Sequence, residues 1–307
     1  MSVTVVGSLN EDVLVTVGRL PGRGETVIGR AAALAPGGKG ANQAAAAGLL
    51  GAGVHMVGRV GADPAGQRQR DALVSAGVAV DHVHAVPGVP TGSATIPVED
   101  GTGENLIVVV PGANAELGVA DVEIDVVRTA AVVLLQLEVP METVHAAARV
   151  ATGTVVLTPA PPRPLPDELW ARVDVLVPNE HELVQLAGVD PGERSPAELA
   201  ALARSVASSA VVVTLGPRGA LVVPEEGRAL VQVPPPVEPV DTTGAGDCFC
   251  GALASALAAG EPLADAVRYA VTAAALSTTG AGARGALPDD AAVRDLLPLL
   301  PAPVPVG

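Results

Sequence analysis

Aromatic side chains are almost absent from this sequence. Trp170, Phe249 and Tyr269 are the only three in 307 residues, 1% of the chain. A core without rings has to be filled by Ala, Val and Leu, and stacking on flat ligands is largely excluded. Lysine is scarcer still: Lys39 is the single one among 18 basic residues, the rest being arginine. Positive charge as a whole is in deficit, with 33 acidic side chains and a net charge of −15. That balance excludes nucleic acid and anionic membrane as general partners. Cysteine is limited to Cys248 and Cys250. Two positions apart on an expected helix they point away from each other, and they have no metal-ligand spacing. They read as reduced core thiols of a cytoplasmic protein. No apolar run approaches the ~18 residues that span a bilayer. The start, MSVTVVGSLNED, has no basic region and reads as a first strand, not an export signal.

What the chain does have is length, apolar content (49%) and a steady alternation of short apolar runs with helical segments. Val3–Ser8, His55–Val60, Ala131–Leu137, Thr154–Thr158, Asp174–Val177 and Ala210–Leu215 have the length and composition of buried strands. Helices are expected over 41–50, 64–76, 141–151, 180–187, 197–207, 262–277 and 289–300, and from Asp247 to Gly260. This rhythm implies a three-layer α/β/α fold around a largely parallel sheet. Two extended stretches break it, at about 12–35 and 92–111. Ser93–Glu99 alternates strictly in polarity, and the turn DGTGEN joins it to Leu106–Val110. This reads as a hairpin with one wet face, and Pro97 points to an edge strand. The two stretches are expected to form a small β-sheet lid on a single unit, 1–300. The proline-spaced tail, 301–307, is expected to be mobile.

The chemistry centres on Val240–Ala252, VDTTGAGDCFCGA. A Gly-rich turn at a helix start exposes backbone N–H groups without intrahelical partners, and the helix dipole adds to their preference for an anion such as phosphate. A carboxylate there, Asp247, would normally be repelled by that ligand. It makes sense if it takes a proton from a hydroxyl attacking the phosphate. The turn by itself equally fits an ordinary helix following a loop. Other polar residues gather where strands end, the place where open α/β sheets bind ligands: Asn10 and Asp12, Glu138, Asn179 and Thr214. Lys39 and Asn42 sit at the loop–helix junction PGGKGANQ, whose spacing is not that of a GxxxxGK[ST] phosphate loop. Taken together, a cleft with sugar-sized hydrogen-bonding groups and one anion cradle points to phosphoryl transfer to a polyol.

The ordered motifs GSLNED, PGGKGANQAAAAG, DGTGENLIVVVPGANAEL, LLQLEVP, VPNEHE, TLGPRGA and DTTGAGD, from about Val3 to Pro288, resemble the ribokinase/PfkB carbohydrate kinase family, which includes fructokinases and adenosine kinase. GGKGANQA with GENLI and GAN is the more specific part and is similar to the ribokinase branch. The resemblance implies an ATP-dependent phosphotransferase acting on the 5-hydroxyl of D-ribose. It implies that Asn10, Asp12, Gly38, Lys39, Asn42 and Glu138 hold the sugar, that Asp247 is the base, and that Gly244, Ala245 and Gly246 form the anion hole. Asn179 and Glu182 would serve the phosphates and Mg²⁺, and Thr214, Gly216, Arg218 and Gly219, beside Gly246, the nucleotide. Asp241 and Thr243, with Ser277, Gly280, Gly282 and Ala286, would hold an activating K⁺. The lid would join two subunits of a homodimer. Another sugar or nucleoside kinase (deoxyribose, fructose, adenosine) and a catalytically silent sugar-binding protein are the other readings. Ala286, where ribokinases often carry Ser, implies a weaker dependence on K⁺.

Overall fold

The computed structural model describes residues 2–306. In chain order its strands are β1 (Ser2–Val6), β2 (Asn10–Val17), β3 (Gly29–Gly37), β4 (Gly53–Gly61), β5 (Val78–Val86), β6 (Gly92–Glu99), β7 (Val108–Val110), β8 (Val132–Leu135), β9 (Thr154–Leu157), β10 (Val175–Leu176), β11 (Ala210–Thr214), β12 (Ala220–Val223), β13 (Leu230–Gln232) and β14 (Val304–Pro305). The helices are α1 (Lys39–Leu49), α2 (Pro64–Ser75), α3 (Asp125–Arg128), α4 (Met141–Val150), α5 (Asp167–Trp170), α6 (Glu180–Leu186), α7 (Pro196–Val206), α8 (Ala245–Ala258), α9 (Leu263–Ser277) and α10 (Asp290–Leu296).

Ten strands make one sheet in the order β14-β13-β12-β11-β10-β9-β8-β1-β4-β5. From β11 to β5 neighbouring strands run parallel, while β12, β13 and β14 join by antiparallel pairing. Strands buried on both faces must be apolar throughout, and β8 (VVLL) is buried at every position. One face of the sheet packs a cluster that includes Ala41 and Ala44–Ala47 of α1, Leu73 of α2, Leu253 of α8 and Val267 of α9. The other face packs Val144 of α4, Leu183 of α6 and Leu199 of α7. The three expected layers are present.

The lack of large side chains sets the helix spacing. A Cβ added to Gly251 of α8 would lie 2.4 Å from the Gln43 carbonyl oxygen and 3.0 Å from the Ala47 nitrogen. The backbones of α1 and α8 therefore touch, and the first turns of both helices come together at one end of the sheet. β1 is pinned to the same place: a Cβ on Gly40 would lie 2.7 Å from the Ser8 nitrogen.

The small sheet runs β3-β2-β6-β7. β2 pairs antiparallel with β3 and parallel with β6, and β6 pairs antiparallel with β7. The expectation of an edge position for Pro97 is corrected here, because β6 lies between β2 and β7. The Pro97 carbonyl accepts from Leu106 N–H at 3.2 Å, but proline has no N–H to return the bond to Leu106, and the β7 ladder stops short of it at Val108. The mobile tail is corrected as well. Val304 and Pro305 pair with Val231 and Leu230, and Val306 N–H donates to the Ala229 carbonyl at 2.8 Å. The open edge of β13 accepts an already extended segment, and the missing N–H of Pro305 faces outward. Gly307 lies outside the described residues. Helix α8 begins at Ala245, two residues before the expected start at Asp247.

Candidate active site

Gly244 caps α8 with φ of +74°, a left-handed conformation. Its Cα also lies so close to the following loop that a Cβ would be 2.7 Å from Ala283 Cβ. Glycine is required there on both counts. Gly246, two residues on, has nothing within 4 Å of its Cβ position. That open space lies over the unpaired amides of the first turn. Asp247 completes the turn, and both carboxylate oxygens are held from α1. Asn42 Nδ2 donates to Oδ2 at 2.9 Å, and Gln43 Nε2 donates to Oδ1 at 3.1 Å. Gln136, fully buried, donates in turn to Gln43 Oε1 at 2.6 Å.

The polar ends of β1 and β8 face this carboxylate. Glu138 Oε2 accepts from Ser8 Oγ at 2.5 Å and from the Lys39 backbone N–H at 3.2 Å. Asn10 is buried; its Oδ1 accepts from Asn114 Nδ2 at 2.7 Å, and its backbone lies against Gly38, where a Cβ would be 2.7 Å from Asn10 N. Asp12 lies against Gly37, where a Cβ would overlap its carboxylate. Burial pushes the Asp12 carboxyl up to about 6; Arg284 pulls it down, while Glu138 and Asp247 push it further up. Burial works against the charge on Lys39, but Asp247, Glu138 and Glu182 outweigh it and hold the ammonium above its ordinary value. Burial also raises Glu182. The single lysine thus feels carboxylates from three different elements, and the bonds of Glu138 to Lys39 and of Asn42 to Asp247 bring the expected sugar set and the expected base to the same end of the sheet.

The next group along the sheet is Asn179 and Glu182, which form a reciprocal cap on α6. Asn179 Oδ1 accepts from Glu182 N–H, and Glu182 Oε2 accepts from Asn179 N–H, both at 2.8 Å. Asn179 bridges Thr214 in parallel register, so the two stand side by side at strand ends. Gly216 and Gly219 have φ of +56° and +89°. Arg218 forms an ion pair with Glu180. On the far side of α8, Asp241 accepts from Thr243 N–H at 2.9 Å and from Gly282 N–H at 2.7 Å. Burial raises the Asp241 carboxyl, but these bonds overcome it and hold it below the usual carboxylate range. Ser277 Oγ is bonded within α9 to the Ala274 carbonyl at 2.8 Å, and Gly280 lies against Ala286. Among the described residues no three His, Cys, Asp or Glu side chains form a metal cluster. The oxygen donors at Asp241 and Glu182 are hard ligands, and Mg²⁺ is commonly held by one or two carboxylates together with substrate phosphates. The donor set fits such ions.

Three contributors were not expected. Gln43 and Gln136 support Asp247, and the signal for Gln136 was a lone polar residue inside the apolar run LLQLEVP. Arg284 is the one charged side chain between Thr278 and Pro288, and it reaches Asn42. A cavity of about 820 Å³ at the other end of the sheet, between Leu50, Ala256 and Tyr269, holds none of these groups.

A model of the pfkB family of carbohydrate kinases matches residues 1–290. The chain belongs to that family. It is 39% identical over 302 residues to a ribokinase of Bacillus subtilis, covering 96% of this chain and 99% of that one. To the ribokinase of Arabidopsis thaliana it is 35% identical, over 95% of this chain and 80% of that one. The structure superposes on that of Thermotoga maritima ribokinase with a TM-score of 0.87 at 33% identity, covering 97% and 99% of the two chains. Against Arabidopsis ribokinase complexed with ribose and ATP the TM-score is 0.85 at 35% identity, over 96% and 98%. The sheet order and the separate four-stranded sheet are therefore those of the ribokinase-like fold. No helix among the described residues is long and apolar enough to cross a membrane.

Proposed function

We propose that this protein transfers the γ-phosphoryl group of ATP to the 5-hydroxyl of D-ribose, giving D-ribose 5-phosphate and ADP. The observation that carries this reading is the placement of Asp247. It is held on both oxygens by Asn42 and Gln43, at the amino end of α8, within the field of Lys39. Relatives named ribokinase, similar over nearly the whole chain, support the choice of sugar.

Asn10, Asp12, Gly38, Lys39, Asn42 and Glu138 hold the hydroxyls of the acceptor. Asp247 takes the proton of the attacking hydroxyl, the new O–P bond forms at the 5-oxygen, and the bond from γ-phosphorus to its bridging oxygen breaks. The amides of Gly244, Ala245 and Gly246 face the negative charge on the transferring group. Phosphoryl transfer leaves little covalent work for protein, so positioning and charge stabilisation dominate. Asn179, Thr214, Gly216, Arg218 and Gly219 line the nucleotide. Mg²⁺ would neutralise the phosphates, with Glu182 reaching it through water. Asp241 and Thr243, with the loop from Ser277 to Ala286, would hold K⁺ beside the anion hole. The whole described chain acts as one kinase unit with β2, β3, β6 and β7 as its lid. We place it in the cytoplasm as a homodimer joined through the exposed lid side chains Ile28, Leu34 and Val108.

The test is a sugar panel with ATP and Mg²⁺, covering ribose, deoxyribose, fructose and adenosine. Ribose is expected to give the highest kcat/KM, and equal or better turnover of another acceptor rejects it as the substrate. Asp247→Asn is expected to lower kcat by about 10²- to 10⁴-fold, the usual worth of a general base. Ribose binding by calorimetry should stay near wild type. Wild-type turnover by that variant rejects the mechanism.

A further inference from the structure

Arg284 lies in the loop between α9 and α10, remote in sequence from every other residue it meets. Its Nε donates to Asn42 Oδ1 at 2.8 Å, and Nη2 donates to the Gly37 carbonyl at 3.3 Å. Nη1 is buried without a partner. Burial pushes the guanidinium down to about 10, with Asp12 and Asp247 pulling it back up. An uncompensated donor next to two carboxylates is costly to bury and calls for a use.

The chemistry of the three partners supplies one. An asparagine amide has nearly the same shape in its two flipped orientations, so sterics alone do not select between them. Asn42 lies between a group that only donates, Arg284, and a group that only accepts, the ionised Asp247. Arg284 draws Oδ1 to itself, which leaves Nδ2 for Asp247 Oδ2. In the flipped state an amide oxygen would face a carboxylate oxygen, and an NH₂ would face a guanidinium. The neighbouring residue reinforces the placement: Ala283 packs on Gly244, so the loop that carries Arg284 also rests on the turn that starts α8.

We propose that Arg284 is a positioning residue that fixes the amide of Asn42 and through it the carboxylate of Asp247, so that the final loop of the chain sets the aim of the base. The proposal rests on Asp247 being the base, as argued above. Lysine is also donor-only, whereas glutamine brings an acceptor and methionine brings neither. The expected order of kcat is therefore wild type, then Arg284→Lys, then Arg284→Gln and Arg284→Met together. Arg284→Met should lose about 10- to 100-fold, as a group misplaced by about 1 Å does. Because Asn42 also holds the acceptor, the KM for the sugar should rise alongside, by no more than it does in Asn42→Ala.

The deciding measurement is a double-mutant cycle on kcat with Asn42→Ala. If Arg284 acts through Asn42, adding Arg284→Met to Asn42→Ala lowers kcat by less than about twofold. Full additivity overturns the proposal, as does a lysine variant no better than the glutamine one. The wild type is assayed first, and the cycle is run with whichever acceptor turns over, so an error about ribose leaves this test intact. A wild type inactive on every acceptor removes the functional reading and this proposal together. Melting temperatures of all variants separate a folding defect from a loss of aim, and loss of rate only in proportion to unfolded protein also overturns it.

Discussion

Gly244 and Gly246 flank Ala245 in one turn, yet the structure gives them opposite sensitivities. At Gly244 the backbone has φ of +74°, and a Cβ would lie 2.7 Å from Ala283 Cβ, 2.8 Å from its Cα and 2.9 Å from its carbonyl oxygen. The left-handed conformation costs an L-residue about 1–2 kcal/mol, and forcing atoms into a packed contact adds about 1–3 kcal/mol. Gly244→Ala should therefore destabilise by about 2–5 kcal/mol, a fall in Tm on the order of 3–8 °C for a chain of this length. At Gly246 a Cβ meets nothing within 4 Å, and the residue is already helical. Alanine exceeds glycine in helix propensity by about 0.8–1 kcal/mol, so Gly246→Ala should hold or slightly raise Tm. The added methyl nevertheless enters the space where the transferring phosphoryl group would sit. Spoiling an oxyanion-type site typically costs about 10²- to 10³-fold in kcat, and a loss of that order is expected here. Scanning calorimetry and a coupled ADP-release assay read the two effects separately. A Gly246→Ala enzyme with wild-type kcat would refute the placement of the anion over this turn. An equal loss of Tm in both variants would refute the packing argument.

Two further predictions concern charge and the exposed sheet. Asp12 has its folded-state value raised to about 6 from 3.8 by burial, so its contribution to stability is fully present below 3.8 and is lost as pH rises through about 6. Asp12→Asn should therefore melt higher than wild type at pH 8 and no higher at pH 3.5, and equal differences at both pH values would refute this. Ribose affinity by calorimetry should rise from pH 5 to pH 7.5 as Asp12 becomes a pure acceptor, a trend the Asn variant should lack. Ile28, just before β3, and Val108 of β7 are 91% and 62% exposed, large apolar side chains of the kind that mark an interaction surface. Replacing both with Glu should convert the proposed dimer to monomer by analytical ultracentrifugation, and an unchanged sedimentation coefficient would reject that interface.

The layers of the fold were legible because each signal was local. A strand such as VVLL and a helix such as METVHAAARV declare themselves within ten residues by period and composition. The candidate site was legible where a special backbone and a carboxylate share one short motif, as Gly244 and Asp247 do. What escaped were partners joined only by folding. Arg284 and Asn42 are 242 positions apart, and nothing near either predicts the other. Gln43 stood next to a residue singled out in its motif, yet its role depends on the backbone contact between α1 and α8 at Gly251. Pro97 and the last residues misled for a related reason. Proline reports what its own amide cannot do, not which neighbour the sheet places beside it.

The passage from β1 into β2 takes only residues 7–9, and with it the chain leaves one sheet for the other. Asn10, Asp12 and Gly37 travel with the small sheet, whereas Asp247 is anchored on α8 beneath the large one. The chain passes between the two sheets at residues 7–9, at Gly38, at 87–91 and after Val110, so the site residues stand on two sheets that share no ladder. A sugar held by both sets, as proposed, would spend part of its binding energy keeping the two sheets in register with each other.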